Sequence, residues 1–411
     1  MTFLFKEPNV DAFGRQMVTV PFTLGDYKHL YGIDPNFLEY ITNGATVAYQ
    51  SNKACARLTT SSNSASRIVH QSKFYHHYMP GKSQLILSSF NFYTAVPNVT
   101  KRTGYFDDNN GIYFEQTGDG TLSFVIRSYV SGSVVETRVP QSSWNRNKCN
   151  GVGPNAWTID ITKTQLIFID FQWLGVGRVR VGFVHDGEYI VAHVFDHSNA
   201  LPTVYMSTPN LPVRCEVVNV GTTTGGFIDQ ICSTVVSEGG YVEAGSDWAV
   251  ASPTLRTLAA GATLPILAIR LKNAYKTYPN RMIAKMGQVN ILSTGANIKY
   301  RLIKLPNISQ LTVGGSWVSV DDDSGVEYMA GATAFTDGDE HLSGFVAASS
   351  QNLIQTQGGA PTPSTPSSAK KNYIVQNYDS TDSEIYVLVA TNIHATDSTT
   401  VGVSMQWREI Y

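Results

Sequence analysis

From residue 84 onward the chain is a train of short apolar runs separated by turn-forming residues, and this punctuation restricts it to folds built from strands. Gln84-Leu-Ile-Leu-Ser-Ser-Phe-Asn-Phe-Tyr93 runs apolar or alternates. Gly111-Ile-Tyr-Phe-Glu115 follows the turn Asp107-Asp-Asn-Asn-Gly111, and Thr121-Leu-Ser-Phe-Val-Ile-Arg-Ser128 follows Gly118-Asp-Gly120. Val134–Val139, Leu166–Trp173, Arg178–Val184, Tyr189–Phe195, Val213–Asn219 and Gln230–Val236 continue the series. Runs of this length bounded by Gly, Asn and Asp read as strands. Asp186-Gly187 is a two-residue turn of the kind that takes positive φ, the strongest short-range sign of a hairpin. In Arg178-Val-Arg-Val the period of two puts the arginines on one face and the valines on the other, so one face is wet or paired and the other is core. Phe168, Phe171, Trp173, Phe183 and Phe195 supply large apolar area, each worth about 1.5–3 kcal/mol when buried. Many short strands in series imply two sheets packed face to face.

Gly239-Gly240 and the polar stretch to Ser246 mark a domain boundary. Beyond it Leu264–Leu271, Gln288–Leu292, Ile298–Ile303, Trp317–Val320, Asn372–Val375, Glu384–Ala390 and Thr400–Trp407 again read as strands. The Pro/Ser/Thr-rich insertion 355–371 cannot occupy a central strand and is expected as an exposed loop. Helix is expected only at Asp34–Thr42 and Ala274–Met286, the latter weakened by Pro279. Residues 1–80 show little periodicity; they read as an irregular N-terminal arm engaged with another subunit or laid over its own domain. The expected fold is therefore all-β: two tandem antiparallel β-sandwiches of jelly-roll or concanavalin-like type, 81–240 and 241–411, with an extended arm 1–80.

Charged residues make up only 15% of the chain and the net charge is -2, so no basic excess is available to neutralise nucleic-acid phosphates. The first residues lack a basic segment followed by an apolar core, so no secretory signal is expected, and no apolar run reaches the roughly 18 residues of a membrane helix. Cys55, Cys149, Cys215 and Cys232 are widely spaced without zinc-type partners and are expected as buried reduced thiols; a Cys215–Cys232 bridge is the alternative.

Several residues are candidates for chemistry. His193 and His197 share a strand face while Asp196 points away, with His185 and Asp186 nearby, so polar strand-end positions are expected in preference to a metal or catalytic site. Asp321-Asp-Asp-Ser324 and Asp107–Gly111 are oxygen-rich but lack the full spacing of a calcium loop, and Asx-rich turns form for backbone reasons alone. Gly175-Val-Gly177 precedes a strand and is no dinucleotide fingerprint. Glycoside hydrolysis would need two carboxylates some 5–9.5 Å apart, and Glu115, Asp170 and Glu216 are the strand-borne acids available. Tyr75, His76, His77 and Tyr78 are the candidates for glycan or partner contact, because aromatic groups with polar tips serve both purposes. No catalytic residue, cofactor or metal is expected.

As a set, His77-Tyr-Met-Pro-Gly-Lys-Ser-Gln-Leu85, Arg102-Thr-Gly-Tyr-Phe-Asp107, Asn110–Glu115, Val139-Pro-Gln-Ser-Ser-Trp-Asn145, Ile159-Asp-Ile-Thr-Lys163, Ile169–Phe183, Tyr205–Arg214 and Ile231–Gly240 resemble a family of virion structural proteins from environmental tailed bacteriophages and some large viruses. The resemblance covers residues 16–240; the second domain is similar only through Asn280-Arg281, Gly315-Ser-Trp317 and Trp407-Arg-Glu409. It implies a concanavalin-like first domain and a non-enzymatic virion component, whether surface decoration, head fibre or tail and collar appendage. Such a protein is made in the host cytoplasm and assembles with copies of itself, as a trimer or ring, and with other virion proteins. The alternatives are a carbohydrate-binding adhesin that recognises host surface glycans and a double jelly-roll shell protein. Direct nucleic-acid and membrane partners are not expected.

Overall fold

The computed structural model describes residues 20–152, 156–336, 338–348, 350–355 and 372–411, and the chain divides into two compact units, Met1–Val242 and Glu243–Tyr411. Among the described residues helix is confined to short 3₁₀ segments, Gln141–Ser143 and Ile308–Gln310 with Asn372. The chain is all-β.

Among the described residues the first unit has fifteen strands: β1 Phe22–Lys28, β2 Phe37–Thr42, β3 Thr46–Gln50, β4 Cys55–Thr59, β5 Arg67–Ser72, β6 Gln84–Asn91, β7 Val99–Phe106, β8 Gly111–Gln116, β9 Leu122–Ser128, β10 Val135–Pro140, β11 Gln165–Phe171, β12 Val179–His185, β13 Glu188–Phe195, β14 Val213–Asn219 and β15 Phe227–Ser237. One sheet runs β13-β12-β11-β6-β15-β4-β3, with β1 also on β15; the other runs β10-β9-β8-β7-β14-β5-β2. Every pairing is antiparallel. Alternate side chains of the two sheets meet in one core, with Ile86, Phe90, Ile167, Ile169, Val181 and Phe183 from the first and Ile112, Phe114, Phe124, Val213 and Val217 from the second. The β12–β13 hairpin turns on Asp186 and Gly187, both at positive φ (50° and 77°), with His185 facing Glu188. Val179 and Val181 are buried while Arg180 pairs with Asp170.

Residues 20–80 are not an irregular arm. They supply β1–β5: β1 and β4 pair with β15, β5 pairs with β14, and β3 and β2 extend the two sheets beyond β4 and β5; residues 1–19 lie outside the described residues. β5 is closed over on both faces, and its buried His70, Gln71 and Ser72 erase the alternation that marks a half-exposed strand. The helix expected at Asp34–Thr42 is a turn followed by β2. Asp34 accepts backbone N–H bonds from Asn36 and Phe37, and the ladder to β5 then takes the chain.

The second unit also has two six-stranded sheets. In one, Thr399–Ile410 lies between Ser246–Ala251 and Ile283–Ser293; in the other, Ile385–Asn392 lies between Thr263–Leu271 and Ile298–Leu305. Leu267, Ile269, Met286, Leu388 and Trp407 lie in its core. The helix expected at Ala274–Met286 is a small hairpin, Ala274–Tyr275 with Tyr278–Pro279, running into a long strand. Lys276 and Thr277, at φ 45° and 74°, reverse the chain before a helix can form. The insertion 356–371 lies outside the described residues.

All four cysteines are free. Cys215 and Cys232 sit in different sheets, and Cys232 is exposed, contrary to the expectation of four buried thiols.

Candidate binding surfaces

The sequence candidates are mostly structural. Tyr75, His76 and Tyr78 are buried and do not present an aromatic platform; His77 is half-buried. His76 donates from Nδ1 to the Leu211 carbonyl and accepts the Tyr27 hydroxyl at Nε2 (2.9 Å), which locks the crossing between the sheets. The Tyr78 hydroxyl accepts the Trp173 backbone N–H. His193 accepts the Asn145 N–H, His197 donates to the Gly177 carbonyl (2.7 Å), and Asp196 pairs with Arg178. Among the described residues no group of three or more His, Cys, Asp or Glu is placed to hold a metal.

Both Asx-rich turns use their oxygens internally. The Lys272 ammonium bonds the Asp321 and Ser324 carbonyls (2.8 and 2.6 Å), a position where a cation would otherwise be drawn. In the other turn the Asp107 carboxylate accepts the N–H groups of Asn109 and Asn110, and Asp108 pairs with Arg67 and Arg214.

Sequence reading missed a charge lattice on the outer face of the β10–β2 sheet. Phe106, Tyr113 and Val125 form an apolar floor there. Arg127 lies over both Phe106 and Tyr113, Arg214 over Phe106 and Arg102 over Tyr113. These guanidiniums, with Arg67 and Arg138, interlock with Asp108, Glu115, Glu136 and Glu216. The links include Arg102–Glu115 and Arg67–Glu216, at 2.7 and 2.8 Å, and Arg138 bridging Glu115 and Glu136. Burial pushes the Glu216 carboxyl up, but Arg214, Arg102 and Arg67 outweigh it and hold the group at about 2. Glu136 is likewise held at about 2, its burial overcome by hydrogen bonds from Tyr113 and Arg127. Glu115 and Glu216 share Arg102, while Asp170 lies on the other sheet with Arg180. A glycosidase acid needs a raised pKa to donate its proton. Glu216, held ionised by three guanidiniums, is tuned the opposite way.

The sheet edges are treated unequally. A strand edge with unpaired N–H and C=O groups invites another strand unless it is covered, charged or broken. The β13 edge is covered: Arg146 and Asn147 donate to the Ala192 carbonyl, and the Asn145 side chain pairs with both backbone groups of Val194. The β10 edge alternates Glu136 and Arg138 and ends at Pro140. On the opposite side, β2 has neither lysine nor proline, and Tyr40 and Ile41 are 36% and 43% exposed. Beside it in the chain, Leu30 and Tyr31 are 52% and 100% exposed, with the Tyr49 hydroxyl of β3 fixing the Leu30 carbonyl. The signal was present in Phe37-Leu-Glu-Tyr-Ile-Thr42, but it was read as a helix.

No family model and no curated protein matches the chain. Among solved structures the chain is similar to the carbohydrate recognition domain of Emp47p, at 10% identity and TM-score 0.33, over 53% of this chain and 95% of that one. It is similar also to a beta-1,3-glucanase from Mycobacterium marinum, at 12% identity and TM-score 0.35, over 52% and 98% of the two chains. A third is the CBM2 module of the Lactobacillus casei BL23 phage J-1 evolved Dit, at 7% identity and TM-score 0.32, over 54% and 98%. The first unit's two antiparallel sheets around one core make it a β-sandwich.

Proposed function

We propose that this chain is a non-enzymatic structural component of a tailed-phage virion, made in the host cytoplasm and built into the particle through protein–protein contacts at the β2–β3 end of its first sandwich. Exposed apolar side chains at that end carry the reading. The β10 and β13 edges are guarded, whereas Leu30, Tyr31 and Ile41 at this end are 52%, 100% and 43% exposed, and apolar surface gathered in one place suits contact with another protein. The test is a phage carrying Tyr31→Lys and Ile41→Lys. Charges at these exposed positions oppose docking of an apolar partner surface while sparing the core, so the soluble protein folds normally and is missing from purified particles when their proteins are quantified. Normal incorporation overturns the reading.

A second reading, a carbohydrate-binding adhesin, is favoured by the outer-face lattice. Its partly exposed Arg138, Glu136 and Arg67 offer fixed charge-assisted donors and acceptors beside aromatic rings, which suits sugar hydroxyls. Binding on a glycan array that is lost in Arg138→Ala would place host-surface recognition on that face; an array without hits removes it.

A further inference from the structure

We infer that the outer face of the β13–β3 sheet carries a binding site distinct from the charge lattice, where Lys53 and Arg57, held over Tyr93, take the anionic group of an acidic glycan, either a sugar carboxylate or a backbone phosphodiester. The ladder places the residues. Arg57 of β4 stands between Ala48 of β3 and Asp229 of β15, and residues opposite one another in a ladder share a face. Their chain neighbours Ala56, Leu58 and Ile228 lie in the core, so these three point out of the sandwich. The Asp229 side chain is nonetheless only 3% exposed, because Arg57 gives it Nε and Nη2 at 2.7 and 2.8 Å and Tyr93 gives it the hydroxyl at 2.6 Å. Lys53 then adds a second cation, 3.8 Å from the same carboxylate. Two cations to one carboxylate leave a positive charge without a counterpart in the cluster.

The two cations converge. Lys53 Nζ and Arg57 Nη2 each lie 3.3 Å from the Tyr93 hydroxyl oxygen, so one anionic group can touch both side chains. Asp229 and Tyr93 occupy Nε and Nη2 of the guanidinium, which leaves Nη1 for a ligand. Lys53 and Arg57 are 46% and 25% exposed, and the exposed Ala48 beside Arg57 is too short to cover it. The arrangement is held under strain: Tyr93 stands at φ 58°, a left-handed conformation that costs a bulky residue about 1–3 kcal/mol and that collects at ligand clamps. Asn91 fixes it by accepting the Tyr93 N–H at 2.8 Å. The ring is thereby set 4.8 Å from Phe227, with Arg57 and Lys53 lying 5.7 and 5.8 Å from its centroid. Rings behind a guanidinium hold its plane for bidentate, charge-assisted bonds to a carboxylate or phosphate. On the same face the ladder adds Thr46 opposite Thr59, short hydroxyl side chains that suit a sugar, where a peptide would want an apolar anchor.

The test is binding of the full chain to three immobilised polymers: polygalacturonate, poly(glycerol phosphate) and neutral dextran. The wild type should bind one or both polyanions and not dextran. Retention by polygalacturonate alone assigns a sugar carboxylate, and retention by poly(glycerol phosphate) alone assigns a phosphodiester. Lys53→Gln removes the exposed cation, leaves the Arg57–Asp229 pair in place and should weaken binding at least about tenfold. Ala48→Glu sets a carboxylate opposite Arg57 in the ladder and should abolish binding by taking the ligand's place. Both changes lie on the surface, so both variants should keep the wild-type melting temperature. Arg138→Ala, in the lattice of the other sheet, should bind as the wild type does. Binding to neither polyanion, equal binding to dextran, or polyanion binding unchanged in Lys53→Gln and Ala48→Glu overturns the inference. Binding lost in Arg138→Ala and kept in Lys53→Gln overturns it too, and assigns the polyanion to the lattice. None of these outcomes bears on incorporation into particles, so the assembly reading stands or falls separately.

Discussion

Two buried imidazoles beneath β2 should make the first unit acid-sensitive above the range in which carboxylates titrate. His70 is fully buried, stacked on Phe37 at 4.3 Å, with Nδ1 donating to the Gln230 carboxamide oxygen. His29 lies 5.5 Å away and accepts the Asp34 N–H at Nδ1. Burial drives His70 down from 6.5 to about 3 against the opposing Gln230 bond, and burial also lowers His29, with Asp34 opposing. A group whose folded pKa is depressed in this way binds its proton first in the unfolded chain. The stability it protects is complete above pH 6.5 and is lost as pH falls towards 3. At about 1.4 kcal/mol per pH unit, His70 alone removes about 2 kcal/mol between pH 7.5 and 5.0 and roughly 3 by pH 4. The assay is urea unfolding at pH 7.5 and 5.0, read by pulsed hydrogen exchange of peptides covering β5, for wild type and His70→Gln. The glutamine keeps a donor for Gln230 and does not titrate. It should lower stability at pH 7.5 but flatten the loss on acidification by about 2 kcal/mol. An identical pH dependence in the two proteins would show that His70 is not held neutral in the fold.

Glu216→Gln leaves Arg67, Arg102 and Arg214 without their shared carboxylate in a buried setting. Calorimetry should register a loss of about 3–5 kcal/mol, and a change below about 1 kcal/mol would mean the lattice is solvated. Gly182→Ala would put a Cβ 2.0 Å from the Ile190 carbonyl oxygen and 2.8 Å from the Phe168 ring; a drop of at least about 1–3 kcal/mol in chemical unfolding is expected, and wild-type stability would contradict the close approach of β12 and β13. Millimolar calcium should leave the melting temperature of the second unit unchanged, because Lys272 already occupies the carbonyl cluster of the Asp321 turn; a rise with calcium would assign that turn to a metal.

Where the strand pattern was local, the sequence could be read. The Asp186-Gly187 hairpin, the alternation of β12 and the strands of the second unit follow from residues within a few positions of one another. The run Gln16–Leu24 reads as strand-like and overlaps β1, but β4 and β5 were not legible because what makes them strands lies far along the chain. Arg57 of β4 meets Asp229 of β15 across 172 residues. β5 is buried on both faces, so it carries polar residues without exposure and shows no period of two. Phe37, Tyr40 and Ile41 also fit the i, i+3, i+4 spacing of a helix, and only pairing with β5 decides against it.

The surfaces were harder to read than the fold for a related reason. Glu115, Glu136 and Glu216 look alike in sequence, each a lone acid in an apolar or mixed strand; what distinguishes them is the set of guanidiniums brought together from five strands, and this turns possible acids into ion-pair partners. The same lattice explains why β8 is buried along its whole length although it has the core on one side only: the arginines roof the other. That roof has a consequence for assembly. With its outer face closed by charges and the β10 and β13 edges guarded, β2 and β3 are the strands that end the described sheets without lysine or proline. A sequence records such an edge only as missing lysines and prolines, an absence that becomes informative once the strand order has placed β2 last in its sheet.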